Sequence, residues 1–182
     1  VKCKTENQKS LVNSIKEKEV TICSGPAGTG KTFLACAEAL KLIKRYAKYK
    51  KIVIVKSVTT LKNEEIGFLK GNLREKMEPF MFSFVHNFEK IVGQAITSRL
   101  RELKTIEEMP IAYMRGINLD KSIIIIDEAQ NISQENMRTI LTRLGKDSKM
   151  IFLGDERQQD SKGGNGLTFL MDHFSHIDEI GC

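Results

Sequence analysis

Prolines number three in 182 residues, and no long Gly/Ser tract or self-similar period interrupts the chain. With nothing to mark a linker or a repeat array, residues 1–182 read as a single domain. Cysteine is scarce as well. Cys3, Cys23, Cys36 and Cys182 lie far apart without a CxxC pair, which argues against a zinc knuckle or a disulfide framework and favours a reducing, cytoplasmic setting. His173 and His176 stand with Asp172 and Cys182 at ligand-like spacing, yet no second half of a tetrahedral site accompanies them. Long apolar runs are missing too: those at 51–55 and 122–126 are strand-sized, so neither a transmembrane helix nor a membrane partner is expected. The chain begins at Val1 and has no apolar stretch of signal-peptide length after it, so its start is read as processed, tagged or excerpted.

What is present is an ordinary globular composition, 41% hydrophobic and 29% charged, enough to bury a sizeable core. Lys plus Arg number 29 against 23 Asp plus Glu, a net charge of +6 that allows a polyanionic partner without requiring one. Three runs, at 20–23, 52–55 and 123–126, are too continuous and too β-branched for half-exposed strands and read as buried parallel strands. A fourth follows at 150–153 and a weaker fifth at 105–112. Between them, Leu34, Ala37, Leu40 and Ile43 recur at helical spacing over 33–46, with Ala47 next on that face, and Met137, Ile140, Leu141 and Leu144 over 134–144. Two more helices, at 72–92 and 94–103, are inserted between the second and third core strands. Strands alternating with helices predict an α/β domain with a mainly parallel sheet. In such sheets ligands bind beyond the carboxyl ends of the strands.

Gly25-Pro26-Ala27-Gly28-Thr29-Gly30-Lys31-Thr32 fits G-x-x-x-x-G-K-[ST], follows an apolar strand and opens a helix. Glycines let such a loop curl so that successive backbone N–H groups point at phosphates, and the next helix adds its positive dipole end. Lys31 would neutralise β/γ oxygens, and the Thr32 hydroxyl would ligate Mg²⁺. The strand at 123–126 ends in Asp127 and Glu128, two carboxylates that can divide the work. Asp127 would hold the metal through its water shell, and Glu128 would polarise a water for attack on the γ-phosphate. At a third strand end, Gly154 and Asp155 form a turn leading to Gln158, a side chain able to contact the γ-phosphate or the attacking water. The same residues are also compatible with a plain surface turn.

Taken in order, Ser24 to Thr32, Ile66-Gly-Phe-Leu69, Ala112-Tyr-Met-Arg-Gly116, Ile126-Asp-Glu-Ala-Gln-Asn131, Leu141-Thr-Arg-Leu-Gly145, Ser148-Lys-Met150 and Gly154-Asp155 with Gln158 and Asp160 resemble the PhoH family. The resemblance runs from about Thr5 to about Phe174. It implies a P-loop NTPase similar to the first RecA-like domain of superfamily 1 helicases, a three-layer sandwich with inserted helices. It also implies cytosolic binding and hydrolysis of ATP with Mg²⁺, an RNA-related role with single-stranded RNA as partner, and a homo-oligomeric ring. Carried over by position, the binding residues are Gly25 to Thr32 with Phe33, and Gln8 resembles the upstream glutamine that recognises adenine. A polar residue at a helix start accounts for Gln8 equally well. Gln158 resembles the γ-phosphate glutamine of the helicase-like GDxxQ turn. Arg143 and Arg115 are the candidates for stabilising transition-state charge, in cis or from a neighbouring subunit.

The sequence also departs from the family pattern. Val55, Lys56 and Ser57 stand where Thr-Arg-Pro is usual, and the chain stops at Cys182 where members usually continue into a strand carrying Val-Val-Arg, so a C-terminal strand is expected to be lacking. The cations Lys41, Lys44, Arg45, Lys48, Lys50 and Lys51, with Tyr46 and Tyr49, could track a nucleic-acid backbone, but a solvated helix end is the favoured account. The alternative function is an RNA-binding switch that holds ATP with little turnover. A kinase is disfavoured by the adjacent Asp127 and Glu128.

Overall fold

A computed structural model describes residues 1–56, 73–114, 116–158, 165–175, 177 and 180–181. Arg115, Ser57, Asp160, His176, Cys182 and the 66–69 segment lie outside them. Six strands form one sheet: β1 (Val20–Ser24), β2 (Lys51–Lys56), β3 (Ile106–Glu108), β4 (Ser122–Asp127), β5 (Lys149–Gly154) and β6 (Ile180–Gly181). Their order is β3-β2-β4-β5-β1-β6, and every pairing is parallel. Among the described residues the helices are α1 (Glu6–Glu17), α2 (Lys31–Arg45), α3 (Leu73–Val92), α4 (Gln94–Glu102), α5 (Ile111–Met114), α6 (Gln134–Leu141) and α7 (Gly166–Phe174), with a 3-10 turn at Ala129–Asn131.

A strand turns successive side chains to opposite faces, and the β4 run uses both. Ile123 and Ile125 pack into one hydrophobic cluster with Leu11 and Ile15 of α1, Leu34 and Leu42 of α2, and Phe84 and Phe88 of α3. Ile124 and Ile126 pack into a second with Met114 of α5, Met137 and Ile140 of α6, and Leu167 and Leu170 of α7. The sheet is thus covered on both faces, which is why its central strands read as unbroken apolar runs. All four β4 isoleucines are fully buried.

The weak fifth run is shorter than expected. Instead of one strand over 105–112, β3 ends at Glu108 and α5 begins at Ile111. Pro110 has no N–H for a ladder, and its carbonyl accepts from Tyr113 N at 3.0 Å in the first turn of α5. The helix foreseen over 134–144 also stops early, at Leu141. There the Arg143 carbonyl is taken by Leu119 N at 3.0 Å, and Leu144 bridges Leu119 in parallel.

The register aligns the strand ends that matter. Ser24 lies opposite Gly154, Ile126 opposite Phe152, and Lys56 opposite Asp127, so β1, β5, β4 and β2 finish side by side. No described helix is long and apolar enough to cross a membrane.

Candidate functional site

The loop after β1 is built for close approach to an anion. Gly28 and Gly30 have φ of 77° and 85°, backbone conformations that L side chains rarely adopt. Gly25 N donates to the Gly154 carbonyl at 3.0 Å, pinning the start of the loop to the end of β5. Side-chain oxygens of Thr5, Ser133 and Asn165 cap α1, α6 and α7. Gly30 begins α2 with no side-chain cap and no acidic residue in the first turn. The first N–H groups of α2, with their positive dipole end, are therefore left for a ligand. Lys31 Nζ donates to the carbonyls of Gly25 at 2.5 Å and Pro26 at 2.8 Å, and Thr29 Oγ1 donates to the Pro26 carbonyl at 2.9 Å. The ammonium is thereby held against its own loop.

Across the strand ends, Thr32 Oγ1 donates to Asp127 Oδ2 at 3.3 Å. A hydroxyl and a carboxylate oxygen side by side are hard donors, suited to Mg²⁺, which takes one or two protein oxygens and fills its octahedron with phosphate and water. Among the described residues no group of three or more His, Cys, Asp or Glu could hold a metal, so an all-protein cage is not built there. Glu128 has φ 54° and ψ 40°, left-handed for a non-glycine residue. Strain of this kind persists where neighbours over-determine it. Here Glu128 N donates to Asp127 Oδ1 at 3.1 Å, and Glu128 Oε2 accepts from Gln130 Nε2 at 2.6 Å. The turn after β5 is held in the same way: Arg157 N donates to Asp155 Oδ1 and Gln158 N to the Asp155 carbonyl, each at 3.0 Å.

These groups line one cleft of about 470 Å³: Ala27 to Phe33, Asp127, Glu128, Gly154, Asp155 and Gln158. Asn87 and Lys90 of α3 line it as well, and sequence reasoning missed both. Phe84 and Phe88 dock α3 in the core, and a helix packed by those positions can turn Asn87 and Lys90 elsewhere; no local pattern reveals that they meet the loop. Gly25, Pro26 and Gln8 line a second recess of about 680 Å³ with Thr5 and Leu11, and Gly28 to Lys31 and Phe33 line both. Gln8 Nε2 donates to the Thr29 carbonyl at 3.0 Å and Gln8 Oε1 accepts from Lys4 N at 2.7 Å, so the glutamine ties α1 to the loop.

Arg143 does not line the cleft. It lies beyond α6, where its carbonyl meets Leu119 ahead of β4, and its guanidinium donates to Thr142 Oγ1 at 2.9 and 3.2 Å. That is the amino-terminal edge of the sheet, opposite the loop. Tyr49, weighed as a base-stacking ring, is buried at 5% exposure beneath Lys48, while Tyr46 is 41% exposed. Burial pushes the Cys23 thiol up, partly offset by the Lys31 ammonium. Burial, reinforced by the Asp127 carboxylate, pushes that of Cys36 further up. Both stay neutral thiols, in keeping with packing and not nucleophilic attack.

A family model described as PhoH-like protein matches residues 1–182. The PhoH-like protein of Bacillus subtilis (strain 168) is 38% identical over 182 residues, 99% of this chain and 56% of that protein. The PhoH-like protein of Mycobacterium leprae is 37% identical over 99% of this chain and 52% of its own, and Protein PhoH of Escherichia coli (strain K12) is 30% identical over 98% and 51%. The chain spans about half the length of the curated relatives it matches. Among solved structures, the large terminase of the thermophilic bacteriophage D6E aligns at 14% identity with a TM-score of 0.47, over 84% of this chain and 39% of that one. The UvsW helicase of bacteriophage T4 aligns at 14% identity and 0.46, over 91% and 56%. With a family model spanning every residue and relatives of this identity along nearly the whole chain, the protein belongs to the PhoH family.

Proposed function

We propose that this chain binds ATP with Mg²⁺ and hydrolyses it by in-line attack of water on the γ-phosphate. The observation that carries the proposal is the meeting of Lys31, Thr32, Asp127, Glu128 and Gln158 in one cleft above an uncapped helix start. The loop N–H groups and Lys31 bind and neutralise the phosphates, once Lys31 exchanges its loop carbonyls for phosphate oxygens. Thr32 and Asp127 would hold Mg²⁺, which would supply positive charge against that developing on the phosphates. Glu128 orients the attacking water and takes its proton, the bond from the γ-phosphorus to the bridging oxygen breaks, and ADP and phosphate leave. Gln158 contacts the γ-phosphate. Gln8 and the recess beside it receive the base. The arginine of the mechanism is Arg143 or Arg115, in cis or from a neighbouring copy in a ring; Arg143, at the amino-terminal end of β4, would act from such a copy.

The test is phosphate release from ATP·Mg²⁺ by the chain and by Glu128→Gln, with and without single-stranded RNA, beside the Kd for a fluorescent ATP analogue. Loss of a general base predicts a fall in kcat of about 10²- to 10⁴-fold, with the Kd nearly unchanged. Stimulation by RNA would support coupling to a strand. ATP binding without turnover in any condition would favour the RNA-binding switch, and no nucleotide binding at all would overturn the proposal.

A further inference from the structure

Gln130 is 1% exposed, yet its amide uses both ends. Nε2 donates to Glu128 Oε2 at 2.6 Å, and Oε1 accepts from Asp155 N at 3.1 Å. The Asp155 carbonyl in turn accepts from Gln158 N at 3.0 Å. An unbroken line of hydrogen bonds therefore runs from the Glu128 carboxylate, through one buried side chain, to the backbone of the residue at the far lip of the cleft. The amide thus anchors one oxygen of the Glu128 carboxylate, Oε2. The fit around the amide is close: a Cβ on Gly154 would run into Gln130 Oε1 and come within 2.9 Å of Leu167 Cδ2. An amide of this length can donate to a carboxylate and accept from a backbone N–H at once, which an ionised carboxylate cannot do. Gln130 and Asp155 are both buried, so losing the bond from Asp155 N would leave a buried donor unpaired.

We infer that Gln130 is a positioning residue that aims Glu128 for turnover and couples it to the turn bearing Gln158, so that a phosphate contact at Gln158 is transmitted to the carboxylate. The inference rests on the ATPase reading for its kinetic half, but the coupling itself is readable without turnover. The experiment compares Gln130→Met, which keeps the size and loses donor and acceptor, with Gln130→Glu, which keeps an acceptor for Asp155 and sets a second carboxylate against Glu128. Phosphate release, Kd for the ATP analogue, thermal melting and hydrogen exchange at the Asp155 amide are measured on each.

Both variants are expected to lose about 10- to 100-fold in kcat while the Kd stays within about twofold, the pattern of an interaction that matters in the transition state. Asp155 exchange is expected to accelerate in Gln130→Met and to stay near wild type in Gln130→Glu. A residue with only a packing role would move melting and Kd in step with kcat. Wild-type kcat in Gln130→Met, or a loss of kcat matched by loss of folded protein in both variants, overturns the inference. If the wild-type chain releases no phosphate, the ATPase reading fails on its own, and the coupling is decided by exchange: unchanged Asp155 protection in Gln130→Met overturns it, and accelerated exchange upholds it.

Discussion

Lys31 holds its ammonium against the carbonyls of Gly25 and Pro26, so an incoming phosphate competes with two backbone acceptors. A charge-assisted contact still outweighs neutral ones, and Lys31→Ala is expected to weaken ATP·Mg²⁺ binding by about tenfold or more, read by titration of a fluorescent analogue. Gly154 is a glycine for space: a Cβ there meets Gln130 and Leu167. Gly154→Ala is expected to cost about 1–3 kcal/mol of stability in urea unfolding. Cys36 carries a pH signature. Its folded pKa is raised, by burial first and Asp127 second, so the folded chain keeps its thiol proton after an unfolded chain has released it. Unfolding then releases a proton above about pH 8.5, and stability falls as pH rises beyond that value. Cys36→Ala is expected to flatten this part of a stability profile measured from pH 7.5 to 10; an unchanged slope would place the effect elsewhere.

Among the elements, helix starts divide by chemistry. Asn165 Oδ1 accepts from Leu167 N and Thr168 N at 3.0 Å each, and its Nδ2 donates to the Glu156 carbonyl at 3.1 Å, so one side chain caps α7 and braces the turn after β5. Asn165→Ala is expected to cost about 1–2 kcal/mol, seen as a lower urea midpoint, and to loosen exchange at Glu156 and Arg157. The start of α2 was legible in the sequence because glycine spacing, lysine and threonine form a local pattern. So were β1 and β4, whose β-branched runs favour strands, and β5 with its short apolar run. Less legible was the segment at 105–112, where a proline divides a short strand from a short helix. The cleft wall formed by Asn87 and Lys90 left no trace in sequence, because its position depends on where α3 docks through Phe84 and Phe88.

For the whole molecule, the sheet is the common wall of two hydrophobic clusters, and β4 feeds both. Ile125→Ala removes fully buried methyl groups from one of them and is expected to cost about 2–5 kcal/mol, lowering the thermal midpoint while nucleotide affinity per folded molecule is kept. The local sequence by itself determined the parallel α/β class, the glycine-rich loop after β1 and the two carboxylates at the end of β4, since each is a short-range pattern of residue type and spacing. Only the tertiary structure decided which of these stand together. Strand order sets β5 between β1 and β4, which bonds Gly25 to Gly154 and lets Gln130 reach Asp155. The direction of the chain leaves Arg143 at the amino-terminal end of β4, although in sequence it lies nearer to Glu128 than Thr32 does. Spacing along a chain specifies how one element can fold; the pairing of distant strand ends is settled by which apolar faces bury one another, and that has no local signature.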